Sequence, residues 1–122
     1  MLHGRRDSTH AEVRQELRDL GASVADTGDA GRDFPDLVVG LAGATFLVEV
    51  KAPRGKLSDG QSAFARSWKG APVVVLRSRT EAREWLIRTR HKLLGRSQTP
   101  VVVTLERGHV VDGRYRGKTP EE

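Results

Sequence analysis

The chain contains no cysteine, which excludes disulfides and thiolate zinc sites. Its four histidines, His3, His10, His91 and His109, are scattered and show no paired metal-ligand spacing. No apolar run approaches the length of a membrane span, and no charged-then-apolar leader precedes a cleavage site. Internal repeats and interdomain linkers are also missing. These absences lead to the expectation of a soluble, cytoplasmic protein with no membrane partner. At 122 residues the expectation is one domain spanning 1–122, long enough for a real core but not for two. A net charge of +5 and a pI near 10.2 favour an anionic partner, nucleic acid first.

What is present centres on residues 34–51. Two apolar runs, 37–41 and 45–50, are rich in β-branched residues and are separated by Gly-Leu-Ala-Gly, which reads as a β-hairpin. Asp36 opens the first strand directly after a proline, and Glu49 and Lys51 close the second. Side chains alternate along a strand, so Glu49 and Lys51 share one face while Val48 and Val50 take the other. In an antiparallel pair the start of one strand lies beside the end of the next, which brings Asp36, Glu49 and Lys51 together. Two carboxylates and an amine at one point of a sheet suggest a divalent-metal site with a cationic helper. Charged strand ends that merely face water are the alternative. Against it, Phe46, Leu47, Val48 and Val50 read as a strand covered on both faces, where an unpartnered ionic group is costly.

Around this hairpin the chain reads in order. Residues 1–6, with Arg5 and Arg6, are expected as a loose basic arm before a helix beginning near Thr9. Thr9 and Glu12 have capping-box spacing, Val13, Leu17 and Leu20 form the apolar stripe, and Gly21 stops the helix. Glu16 flanks that stripe and could reach a site formed with the sheet, or could be solvated. Residues 22–26 are a short strand, and 27–33 a flexible loop leading into Pro35-Asp36. After the hairpin, Arg54 and Lys56 lie in a Pro/Gly/basic loop, placed either to meet a phosphate backbone or simply as a solvated turn. Ser58 and Gln61 open a second helix with Phe64 and Trp68 on its apolar face, ended by Gly70. Gln61 shares that face, so it either caps the helix or looks inward. Residues 73–76 form an uncharged fourth strand, expected to be central. Ser78 and Glu81 open a third helix with the stripe Ala82, Trp85, Leu86, Thr89 and Leu93. Trp68 and Trp85 both read as core.

The tail is basic: from residue 83 to 118 there are nine Lys or Arg against three Asp or Glu. Residues 101–105 and 109–111 read as a terminal hairpin. Arg107, Arg114, Arg116 and Lys118 either form a phosphate-facing edge or keep an edge strand soluble.

The order helix, short strand, hairpin, helix, strand, helix carries several short motifs. They are Phe-Pro-Asp-Leu-Val-Val at 34–39, Leu-Val-Glu-Val-Lys at 47–51 and Leu-Ser-x-x-Gln at 57–61. Phe64, Trp68-Lys-Gly and the strand 73–75 follow, and Arg-Asp-Ser-Thr-His stands at 6–10. In this order and spacing, residues 5–87 resemble the PD-(D/E)XK nuclease superfamily, and more closely its small phage and bacterial VRR-NUC and Holliday-junction-resolvase-like members. The tail, 88–122, lies outside the resemblance. The resemblance implies a restriction-endonuclease-like α/β fold: a central mixed sheet flanked by helices (αβββαβ), here extended by a C-terminal helix and hairpin. It implies that Asp36 and Glu49 ligate Mg²⁺ or Mn²⁺ with the Val50 carbonyl. Lys51 would act on the attacking water and the scissile phosphate, and Gln61 would support the site. An acidic residue from the first helix often joins such sites; Glu16 is expected from its face, with Asp7 next and Glu12 also competing.

The chemistry is consistent with those residue types. Phosphodiester hydrolysis needs an activated water and charge stabilisation on the phosphate, and a hard cation held by carboxylates supplies both. Lysine beside metal-bound carboxylates keeps its proton more easily than one alone in a dry site, which favours electrostatic help over a general-base role. The expected function is a metal-dependent, structure-selective (junction- or flap-type) DNA endonuclease in phage or bacterial DNA processing. The alternative is a non-catalytic nucleic-acid-binding module on the same fold. Junction cutting would call for a homodimer.

Overall fold

Residues 42 and 43 make a two-residue hairpin turn. Ala42 (φ 48°) and Gly43 (φ 86°) are both left-handed, as a two-residue hairpin loop requires. They join β2 (Leu37–Leu41) to β3 (Ala44–Val50) in antiparallel register, with Leu37 opposite Val48 and Val39 opposite Phe46. β1 (Ser23–Asp26) pairs antiparallel with the outer side of β2, and β4 (Val74–Leu76) pairs parallel with β3. The protein, seen here as a computed structural model, is thus an α/β fold with a four-stranded mixed sheet in the order β1-β2-β3-β4. Helices flank the sheet: α1 (Leu2–Asp19), α2 (Asp59–Ser67) and α3 (Arg79–Arg96). The structure describes the backbone of residues 2–96 and the side chains of residues 8–95. The expected terminal hairpin, with Arg107, Arg114, Arg116 and Lys118, lies outside the described residues, as does the Asp7 side chain. The chain divides into two compact units, Met1–Arg90 and His91–Glu122.

The two sheet faces differ in chemistry. In β2, residues 37, 39 and 41 are buried and 38 and 40 half-buried; the last four residues of β3 are all buried. Phe46, on the same face as Val48 and Val50, packs edge-on against Trp85 of α3 at 5.2 Å between centroids. Val13 and Leu17 of α1 and Ala82 and Leu86 of α3 are fully buried or nearly so. α1 and α3 are tied together by Arg90, whose Nη1 donates to the Leu20 carbonyl at 2.6 Å. The other face carries residues 36, 49 and 51 and meets α2, which crosses between the parallel strands β3 and β4.

Several boundaries differ from expectation. Helix α1 begins at Leu2, so there is no loose arm and Thr9 lies within the helix. A cap needs an extended residue at the helix start, and no break precedes Thr9. Gly21 (φ 101°) does end α1 in a Schellman arrangement, with Gly21 N–H to the Arg18 carbonyl and Ala22 N–H to that of Leu17. Among the described residues strand β4 is at the edge of the sheet, not its centre, with β3 as its one neighbour. Helix α2 ends at Ser67 rather than at Gly70: Trp68 is an extended C-cap whose N–H bonds the Phe64 carbonyl at 3.0 Å. Trp68 is accordingly 41% exposed, not core, whereas Trp85 is half-buried.

Ala42 bears the strain of a left-handed conformation that asparagine tolerates better. Ala42→Asn should stabilise the fold by about 0.5–1 kcal/mol, raising Tm by a few degrees in thermal denaturation. An unchanged or lower Tm would show that the turn does not set the hairpin's stability.

Candidate functional site

The hairpin register builds the site. One step beyond the Leu37–Val48 pair, Asp36 stands opposite Glu49, and the two-residue period puts Lys51 on the same face. Pro35 and Asp36 are pinned from behind by Thr27. Its N–H donates to the Asp36 carbonyl at 2.7 Å and its Oγ1 to that of Pro35 at 2.9 Å. The Asp36 side chain turns across the hairpin, and its Oδ2 accepts the Val50 N–H at 2.9 Å. Thr27 lies eight residues before Pro35, and no local pattern in the sequence marks it as an anchor.

Glu49 is the buried member, with only 3% of the residue exposed. Its Oε2 accepts from Gln61 Nε2 at 3.0 Å and lies 3.4 Å from Lys51 Nζ. Gln61 both caps and looks inward. Its Oε1 accepts the Ser58 N–H (2.9 Å) and its own N–H donates to Ser58 Oγ (3.1 Å), which leaves the amide nitrogen for Glu49. The capping box therefore fixes the orientation of the one side-chain donor that reaches the buried carboxylate from α2.

Burial raises the Glu49 pKa to about 7, the adjacent Asp36 charge adds to this, and Lys51 opposes it. Asp36 and Glu49 offer carboxylate oxygens alone, a hard donor set. Among the described residues, no group of three or more His, Cys, Asp or Glu is placed to hold a metal. A two-carboxylate set fits Mg²⁺, which retains several waters and binds through one or two carboxylates, better than it fits zinc.

Glu16 belongs elsewhere. It is buried, but its carboxylate lies 3.7 Å from Arg79 Nε and 3.4 Å from Arg83 Nη1, both on α3. The Val13–Leu17 stripe faces the core, and Glu16 beside it ties α1 to α3; it makes no three-carboxylate group with Asp36 and Glu49. Glu12 is exposed. Arg54 and Lys56 are exposed on the loop after β3, and that loop is held by Arg77, whose guanidinium donates to the Gly55 carbonyl at 3.2 and 3.3 Å. A groove of about 410 Å³ between β4 and α3, lined by Leu76, Arg77, Glu84, Trp85 and Arg88 among others, includes none of the four clustered side chains.

The chain matches no protein-family model, and neither curated proteins nor solved structures give a significant match. Among the described residues no helix is long and apolar enough to cross a membrane.

A carboxyl whose pKa is raised by folding binds its proton more tightly in the folded state. Its contribution is complete below the ordinary value near 4.5 and is lost as pH rises through about 7. In EDTA, stability should therefore fall between roughly pH 5 and 8, by on the order of 3 kcal/mol at about 1.4 kcal/mol per pK unit. Glu49→Gln should flatten that dependence in pH-resolved thermal denaturation. An equally steep fall in the variant would place the titrating group elsewhere.

Proposed function

We propose that this protein is a metal-dependent DNA nuclease on a restriction-endonuclease-like fold. The observation that carries the reading is the convergence of Asp36, Glu49, Lys51 and Gln61 on one sheet face, with Glu49 buried between a cation and an amide donor. Asp36 and Glu49 would hold Mg²⁺ or Mn²⁺, with the Val50 carbonyl as a further ligand. When bound, the ion would lower the pKa of a coordinated water and neutralise charge on the phosphate. Asp36, fixed by the Val50 N–H, and Glu49, fixed by Gln61, hold their carboxylates in place before DNA arrives, which reduces reorganisation during reaction. Lys51 brings a positive charge to the same face and would meet the scissile phosphate once the Glu49 carboxylate turns to the ion. Arg54 and Lys56 on the adjoining loop would contact flanking phosphates. The substrate class we favour is branched DNA of the junction or flap type, in phage or bacterial DNA processing, with a homodimer where a junction needs two cuts.

The test is cleavage of labelled four-way junction, flap, single-stranded and duplex DNA with Mg²⁺, Mn²⁺ or EDTA. Wild type should cut at least one structure only with metal, and Lys51→Ala and Glu49→Ala should each lower the rate by at least about 100-fold. Cutting that survives both substitutions would place the site elsewhere. Salt-sensitive binding without any cutting would make the protein a nucleic-acid-binding module.

A further inference from the structure

Helix α2 carries more than Gln61. Gln61 and Trp68 are seven residues apart, two helical turns and about 10 Å along the axis, so they share one face. Between them Phe64 stacks on the Trp68 indole, with centroids 5.4 Å apart and planes 17° from parallel. On its other side Phe64 meets Phe34 edge-on at 5.4 Å, and Phe34 is two residues before Asp36. A row of three aromatic rings thus leads from the Pro-Asp segment outward to Trp68, where it ends in solvent with Trp68 41% exposed.

A Cβ at Gly70 would come within 2.7 Å of the Trp68 Nε1, so glycine at this position lets the ring lie against the chain. The flanking residues Arg66 and Lys69 are both exposed. Trp68 is a partly exposed indole with two exposed cations within two residues of it in the chain, groups complementary to a nucleotide: the ring for the base and the cations for phosphates. Along its length duplex DNA presents no base face, so away from a helix end only an unpaired or splayed base can occupy it.

We propose that the Phe64–Trp68 stack is a platform for an unpaired nucleobase of the strand entering the Asp36–Glu49 site, which makes DNA with single-stranded or splayed nucleotides beside the scissile phosphate the preferred substrate class. That placement rests on the nuclease reading; the stacking itself does not.

The test separates the two by reading binding without cleavage. In EDTA, Trp85→Phe leaves Trp68 as the single tryptophan. Its emission should be quenched to saturation by oligothymidylate and little by a blunt duplex of equal length. Trp68→Ala should weaken binding of flap DNA by about five- to 150-fold, the range for one base–aromatic stack, and leave blunt-duplex affinity within about two-fold. Trp68→Phe should restore most of the loss. An abasic nucleotide at the stacked position should reproduce the loss in the wild-type protein. The proposal is overturned if single strands leave Trp68 emission unchanged, or if Trp68→Ala weakens duplex and flap equally. It is also overturned if emission depends on protein concentration but not on DNA, which would put a second copy on the ring. Quenching in a protein that never cuts DNA would keep the platform and discard the nuclease.

Discussion

Two carboxylates facing each other across neighbouring strands repel, by about 4 kcal/mol for charges 4 Å apart at an effective dielectric near 20. Asp36 and Glu49 are held in that opposition by the hairpin register, and Glu49 is also buried. The surrounding groups read as compensation. Val50 N–H satisfies Asp36, Gln61 donates to Glu49, and Lys51 supplies a cation. These groups leave the Glu49 pKa raised to about 7, so the pair still favours a proton, or a divalent ion in its place. The proposed metal dependence rests on this repulsion, which a cation held between the two carboxylates would relieve.

The opposition depends on structure that is itself apolar and local. A one-residue slip between β2 and β3 would move Asp36 off Glu49 and turn the buried face outward. The two-residue turn at Ala42-Gly43 and the fully covered end of β3 prevent that slip. Thr27 fixes the entry to β2, and the Ser58–Gln61 box fixes the donor from α2. Charged chemistry on one sheet face is thereby held by packing on the other, where Phe46 meets Trp85 and where Leu86 and Val48 are sealed from water.

What was legible in the sequence follows the range of the interactions. The α/β order, the hairpin and the Ser58–Gln61 capping box are set by residues within a few positions of one another, and each stands where the pattern placed it. Alternation along the strand also brought Asp36, Glu49 and Lys51 to one face. The misreadings come from contacts that no local period encodes. Glu16 meets Arg83 across 67 positions, and among the described residues β4 has a single sheet neighbour, β3. Trp68 has helical spacing from Phe64, yet the chain leaves the helix at Ser67 and carries the ring into solvent. Thr9 has a capping pattern inside a helix that begins earlier, and propensity cannot tell a cap from an interior threonine when no breaker precedes it.

The central claim is that Asp36 and Glu49 together form a divalent-cation site, and Mn²⁺-dependent thermal stabilisation at pH 7.5 or so tests it most directly. With the ion at about 100 times its dissociation constant, binding to the folded state alone adds about 2.7 kcal/mol. Wild-type Tm should rise by several degrees, and Asp36→Asn should remove the shift while remaining folded. No shift in the wild type, or an equal one in Asp36→Asn, would contradict the account.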